Sequence, residues 1–133
     1  MQVLLVEDRV EDVDRARSLL SGAGITDVVV FSRSSSAIEY LESAIEGEQP
    51  LPTGILLDLL LEPDSGFEVL RFCHSEPQLR NIPIVVWTAV AGETEKRIAH
   101  WLGAKKYLTK NSGPLSVTKH LRDVFVQPLS ASQ

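Results

Sequence analysis

The sequence predicts an α/β fold in which a β-strand and an α-helix alternate five times, giving a five-stranded parallel sheet with helices on both faces. Three observations predict it. Short apolar runs of aliphatic and β-branched residues recur along the chain without polar alternation, as strands buried on both faces do. The stretches between them carry apolar residues at helical spacing. Glycine and proline mark the joints between the two patterns.

Taken in order, Val3-Leu4-Leu5-Val6 forms the first strand. Val13, Ala16, Leu20 and Ala23 line one side of the first helix, and Gly22 and Gly24 end it as left-handed caps. Val28-Val29-Val30-Phe31 is the second strand, and Ile38, Leu41 and Ile45 stripe a second helix stopped at Gly47. A loop with Pro50 and Pro52 leads to the third strand at Ile55-Leu56-Leu57. Phe67, Leu70 and Cys73 mark the third helix. Pro83 opens the fourth strand, Ile84-Val85-Val86-Trp87, where a missing N–H is tolerable. Ile98, Trp101 and Leu102 stripe a fourth helix closed by Gly103. Tyr107-Leu108 is a weaker fifth strand, and Val117, Leu121, Val124 and Phe125 stripe the last helix. The alternation implies right-handed crossovers. One domain is expected over residues 1–126, with 127–133 a short polar tail and no output domain behind it.

Composition narrows the function. The 133 residues suit a single domain, and 44% hydrophobic with 23% charged residues is ordinary globular usage. The net charge is −5 and no basic stripe is visible, which argues against direct nucleic-acid binding. Cys73 is the single cysteine, so no intramolecular disulfide forms and a reducing, cytoplasmic location is expected. No basic leader and no long apolar stretch is present, so neither a signal peptide nor membrane insertion is expected.

Ligands of open parallel sheets bind beyond the carboxyl ends of the strands. Glu7 and Asp8 follow the first strand, Asp58 ends the third, Thr88 the fourth, and Lys110 follows the fifth. Crowded carboxylates resist full ionisation unless a cation intervenes. Oxygen donors without His or Cys favour magnesium or manganese over zinc. Asp58 is a lone charge inside Ile55-Leu56-Leu57-Asp58-Leu59-Leu60-Leu61, where a carboxylate needs a partner, a metal or an outlet. The other residues have plainer readings. Asp8 and Glu11 match a capping box for the first helix. Glu7 reads equally as a solvated charge, Thr88 as strand packing and Lys110 as a surface lysine. The coincidence of all five at one sheet edge carries the weight.

These residues bring the chain to a family. Val3-Leu4-Leu5-Val6-Glu7-Asp8, Ile55-Leu56-Leu57-Asp58-Leu59, Gly66, Ile82-Pro83-Ile84-Val85-Val86-Trp87-Thr88-Ala89, and Gly103-Ala104 before Tyr107-Leu108-Thr109-Lys110 resemble the receiver domain of two-component response regulators, the CheY-like family. The resemblance implies a flavodoxin-like (βα)5 fold of strand order 2-1-3-4-5. It implies a stand-alone regulator that accepts a phosphoryl group from a histidine kinase onto Asp58 in a magnesium-dependent reaction and so switches partner binding. Such a protein is no enzyme beyond its own phosphorylation and dephosphorylation. Glu7, Asp8, Asp58 and the backbone carbonyl of Leu60 are implied to hold Mg2+, with Mn2+ as a substitute. Lys110 would pair with a phosphoryl oxygen, Thr88 would engage the arriving group, and Tyr107 would change rotamer with Thr88. The implied partners are a sensor histidine kinase or histidine phosphotransfer protein and a downstream protein target. The face of the fourth helix, fifth strand and fifth helix would serve for that contact or for a homodimer; His100, Trp101 and His120 fall there and receive no chemical role.

The chain departs from the family pattern in places. Glu62 replaces the usual proline and Pro63 follows it, Ser65 precedes Gly66, and Asn111 replaces the proline after the lysine. Loop length is kept, so the turn should survive. A cis bond before a non-proline costs about 2.5–4 kcal/mol, so Lys110–Asn111 should be trans. Leu60 and Val90, two beyond Asp58 and Thr88, cannot orient water through a side-chain hydrogen bond, which predicts slow loss of the phosphoryl group. Asp12, the loop before the third strand and the non-proline after Lys110 look similar to single-domain regulators paired with phytochrome-type kinases.

Rival readings fit less well. A haloacid dehalogenase-type phosphohydrolase wants an aspartate where Leu60 stands. A flavin mononucleotide carrier wants a phosphate loop where Glu7, Asp8, Glu11 and Asp12 would repel one. A receiver fold that never takes phosphate is kept alive by Glu62, Ser65 and Asn111.

Overall fold

A computed structural model describes residues 1–126. The tail expected over 127–133 lies outside the described residues. The chain alternates β1 (Val3–Val6), α1 (Val10–Gly22), β2 (Val28–Phe31), α2 (Ser34–Ile45), β3 (Gly54–Leu57), α3 (Phe67–Ser75), β4 (Ile84–Thr88), α4 (Glu93–Trp101), β5 (Lys106–Thr109) and α5 (Pro114–Phe125). All ladders are parallel, and the sheet order is β2-β1-β3-β4-β5.

Because successive strand residues face opposite sides, each strand feeds two cores. Leu4, Val6, Ile55, Leu57, Ile84 and Val86 pack with residues of α2, α3 and α4. Val3, Leu5, Leu56, Val85, Trp87 and Leu108 pack with residues of α1 and α5. Burial on both faces explains why β1, β3 and β4 read as unbroken apolar runs.

Four local expectations need correction. The second strand reads as fully buried, but β2 is a sheet edge and its four residues are half-buried. The Asp8–Glu11 capping box does not form: Arg9 is the N-cap of α1, with no side-chain cap, and Asp8 Oδ2 instead accepts the Glu62 N–H at 3.3 Å. Gly22 is the last helical residue of α1 and not a left-handed cap, whereas Gly24, Gly47 and Gly103 have φ of 89°, 86° and 104°. The α4 stripe is right only at Leu102, the residue that follows the helix. Ala99 and Leu102 face the core, while Ile98 is 41% and Trp101 75% exposed. The two inward positions are also three apart, but alanine is too small to announce a core face. Trp101 leans towards α3, its ring 5.8 Å from that of His74.

Among the described residues the one cis peptide is Glu62–Pro63, so Lys110–Asn111 is trans as expected. The turn between β3 and α3 also survives its altered residues. Leu60 and Ser65 bridge across it, and the Gly66 N–H donates to the Leu59 carbonyl at 3.0 Å. A Cβ on Gly66 would collide with the Asp58 carbonyl oxygen, so this position demands glycine for close approach of two backbones. No described helix is long and apolar enough to cross a membrane.

Candidate functional site

Strand register builds the site. Val6 pairs with Leu57 across the β1·β3 ladder, so Glu7 and Asp58 leave the sheet side by side. The Asp58 N–H continues that ladder by donating to the Val6 carbonyl at 3.0 Å, and the Glu7 N–H extends the β1·β2 ladder by donating to the Phe31 carbonyl. Thr88 pairs with Thr109, and the Lys110 N–H then donates to the Thr88 carbonyl at 2.8 Å. Four of the five predicted residues are thus placed by backbone hydrogen bonds at one sheet edge. Asp8, one residue further on, turns towards the β3–α3 loop.

Asp58 is 3% exposed. Its Oδ1 accepts the Leu60 N–H at 3.1 Å and its Oδ2 the Lys110 ammonium at 2.9 Å. Glu7 is 1% exposed; its Oε2 accepts the N–H groups of Asp8 and Arg9, and its Oε1 lies 2.7 Å from Lys110 Nζ. Burial pushes the Glu7 carboxyl up to about 7, the Asp58 charge adds to this, and Lys110 pulls the other way. Burial would lower Lys110, but the hydrogen bonds it donates to Asp12, Asp58 and Glu7 outweigh it and hold the ammonium above its ordinary value. Carboxyl oxygens of Glu7, Asp8 and Asp58 lie within 4.8 Å of one another. One ammonium does not neutralise three such groups. An all-oxygen set of this compactness, with one member forced towards protonation, fits a hard divalent cation. Leu60, whose carbonyl belongs to the expected ligand set, is 55% exposed and lines the same cleft of about 460 Å³ with Asp8, Asp58, Glu62, Ala89 and Lys110.

Thr88 is fully buried at the end of β4. Its Oγ1 accepts the Val90 N–H at 3.5 Å, while the Tyr107 hydroxyl donates to the Val90 carbonyl at 2.8 Å. Thr88 and Tyr107 therefore hold the same loop residue from its two polar ends. Burial raises the Tyr107 hydroxyl, and the charges of Glu95 and Asp58 add to it.

One member of the cluster was not expected as a site residue. Asp12, on the first turn of α1, puts Oδ2 2.7 Å from Lys110 Nζ. Burial works against its charge, yet the Lys110 hydrogen bond and charge hold its carboxyl below the usual range. No local pattern in the sequence signals it, since its reach to Lys110 depends on how α1 leaves the sheet.

Comparisons with known proteins point to one family. The family model described as "Response regulator receiver domain" matches residues 3–122. The response regulator Rcp1 of Synechocystis sp. is 33% identical over 125 residues, covering 92% of this chain and 80% of Rcp1. The Mn(2+)-bound form of Rcp1 matches with a TM-score of 0.77 at 29% identity, covering 92% of this chain and 89% of that one. The phosphorylated cyanobacterial phytochrome response regulator RcpA matches with a TM-score of 0.78 at 27% identity, covering 92% and 89%.

Proposed function

The chain belongs to the response regulator receiver family, and we propose that within it Asp58 is the phosphoacceptor of histidine–aspartate signalling. The observation that carries this reading is the setting of Asp58: a carboxylate 3% exposed at a cleft, bonded to Lys110, with Glu7 and Asp8 beside it.

An Asp58 carboxylate oxygen attacks the phosphorus of a phosphohistidine on a sensor kinase or histidine phosphotransfer protein. The new P–O bond forms as the P–N bond breaks, and the imidazole leaves and takes up a proton. The product is an aspartyl phosphate. Glu7, Asp8, Asp58 and the Leu60 carbonyl would hold Mg2+ or Mn2+, which when bound neutralises charge spread over the phosphoryl oxygens. Lys110 holds the Asp58 oxygen in line before transfer and pairs with a phosphoryl oxygen after it. The protein catalyses this chemistry on itself alone.

The new group adds nearly two negative charges at one point. Thr88 turns its hydroxyl to the phosphoryl group and releases the Val90 N–H. Tyr107 then loses its purpose at the Val90 carbonyl and moves inward. The α4–β5–α5 face changes with that loop and presents a different surface to a downstream protein or a second copy. The likeness to RcpA supports a kinase of phytochrome type as the upstream donor.

Incubation with Mg2+ and acetyl phosphate tests the reading. Intact mass should rise by one phosphoryl group in the native protein and not in Asp58→Asn. Uptake that persists in the variant contradicts it.

A further inference from the structure

We infer that Asp12 and Arg15, on successive turns of α1, are positioning residues that clamp Lys110 over Asp58 in place of a rigid loop. This rests on Asp58 as the phosphoacceptor. Lys110 is followed by a trans bond to Asn111, an exposed residue whose side chain bonds only locally, at 2.6 Å from Thr109 Oγ1. The loop itself therefore offers Lys110 little rigidity. The helix does. Arg15 donates to the Lys110 backbone carbonyl at 2.7 Å through one nitrogen and to Asp12 Oδ1 at 3.3 Å through another. Asp12 Oδ2 then receives the Lys110 ammonium at 2.7 Å. One guanidinium thus holds both ends of the lysine, its main chain directly and its ammonium through Asp12. Trp87 fixes the same arrangement from below: the Arg15 guanidinium carbon lies 5.0 Å and Lys110 Nζ 5.2 Å from its ring centre.

Asp12 differs from the other two carboxylates on Lys110 in a decisive respect. Glu7 and Asp58 belong to the compact group that fits a divalent cation, and Asp12 does not. Its bond to Lys110 therefore does not compete with a cation. Lys110 keeps a fixed partner while the charges of Glu7 and Asp58 are engaged elsewhere. A small misplacement of such a group is enough to slow a reaction by about 10²-fold.

Asp12→Asn and Arg15→Gln, each made alone and in a Lys110→Ala background, test the clamp. The readouts are the rate of phosphorylation by phosphoramidate with Mg2+, and Mg2+ affinity from Trp87 fluorescence in a Trp101→Phe background. Asp12→Asn should slow phosphorylation about tenfold or more, and Arg15→Gln should slow it in the same direction. Mg2+ affinity should stay within about threefold, and neither change should slow the Lys110→Ala protein further. Native-like rates in both variants, or equal slowing with and without Lys110, overturn the clamp and leave Asp58 as acceptor. A native protein that takes no phosphoryl group sinks that acceptor and the clamp with it.

Discussion

With Asp58 proposed as the phosphoacceptor, Leu60 and Val90 are the side chains expected to govern how long the phosphoryl group stays. Both lie at the mouth of the cleft or its adjoining loop, and neither side chain can hold a water for attack. The labelled protein should therefore keep its phosphoryl group for many minutes in Mg2+ after the donor is removed. Decay followed by intact mass checks this, and loss within seconds contradicts it. Cys73 makes a second expectation at the same scale. Burial pushes its thiol up to about 12, so almost no thiolate exists near neutrality. Iodoacetamide should leave native Cys73 unmodified at pH 8 and alkylate it readily in urea; rapid alkylation of the folded protein contradicts its burial on the inner side of α3. Asp58, Glu7, Asp8, Thr88 and Lys110 were all legible as residues, because each ends or follows an apolar run. Asp12 was not, because its role depends on which way α1 leaves the sheet.

The elements differ in how openly they declare themselves. β1, β3 and β4 are readable because burial on both faces leaves only apolar side chains. β2 has the same composition, yet its edge position depends on strand order, which no local pattern encodes. α4 misleads for a different reason. Ile98 and Trp101 dominate its apolar pattern, whereas the helix residue it buries is Ala99. Two substitutions separate these readings. Ala99→Leu should destabilise by about 1–3 kcal/mol through overpacking. Trp101→Ser, at a 75% exposed site, should change stability by no more than about 0.5 kcal/mol. Urea unfolding measures both, and a large loss at Trp101 with none at Ala99 would restore the stripe seen in the sequence.

Across the whole molecule, the fold concentrates unfavourable charge at one sheet edge and relieves it mainly with Lys110, Arg9 and Arg15 sharing Asp12. Lys110 bonds Glu7, Asp12 and Asp58 at 2.7, 2.7 and 2.9 Å. Removing one partner of a buried charged group strands the others, so losing Lys110 would leave Glu7 and Asp58 as unpaired buried carboxylates. A cation that binds only the folded state raises stability, by about 2.7 kcal/mol at a hundredfold excess over Kd. Millimolar Mg2+ should accordingly raise the melting temperature of the native protein, and Asp8→Asn should abolish most of that rise without unfolding the chain. An equal Mg2+ shift in both proteins would place the cation elsewhere.

The most direct test of Asp58 as acceptor reads the covalent bond itself. Protein phosphorylated with acetyl phosphate and Mg2+ is reduced with borohydride, which converts an aspartyl phosphate to homoserine, and is then mapped by peptide sequencing. Homoserine should appear at position 58 and at no other aspartate, with none formed when Mg2+ is chelated. An unreduced Asp58 in a protein that still carries phosphate on another side chain would contradict it.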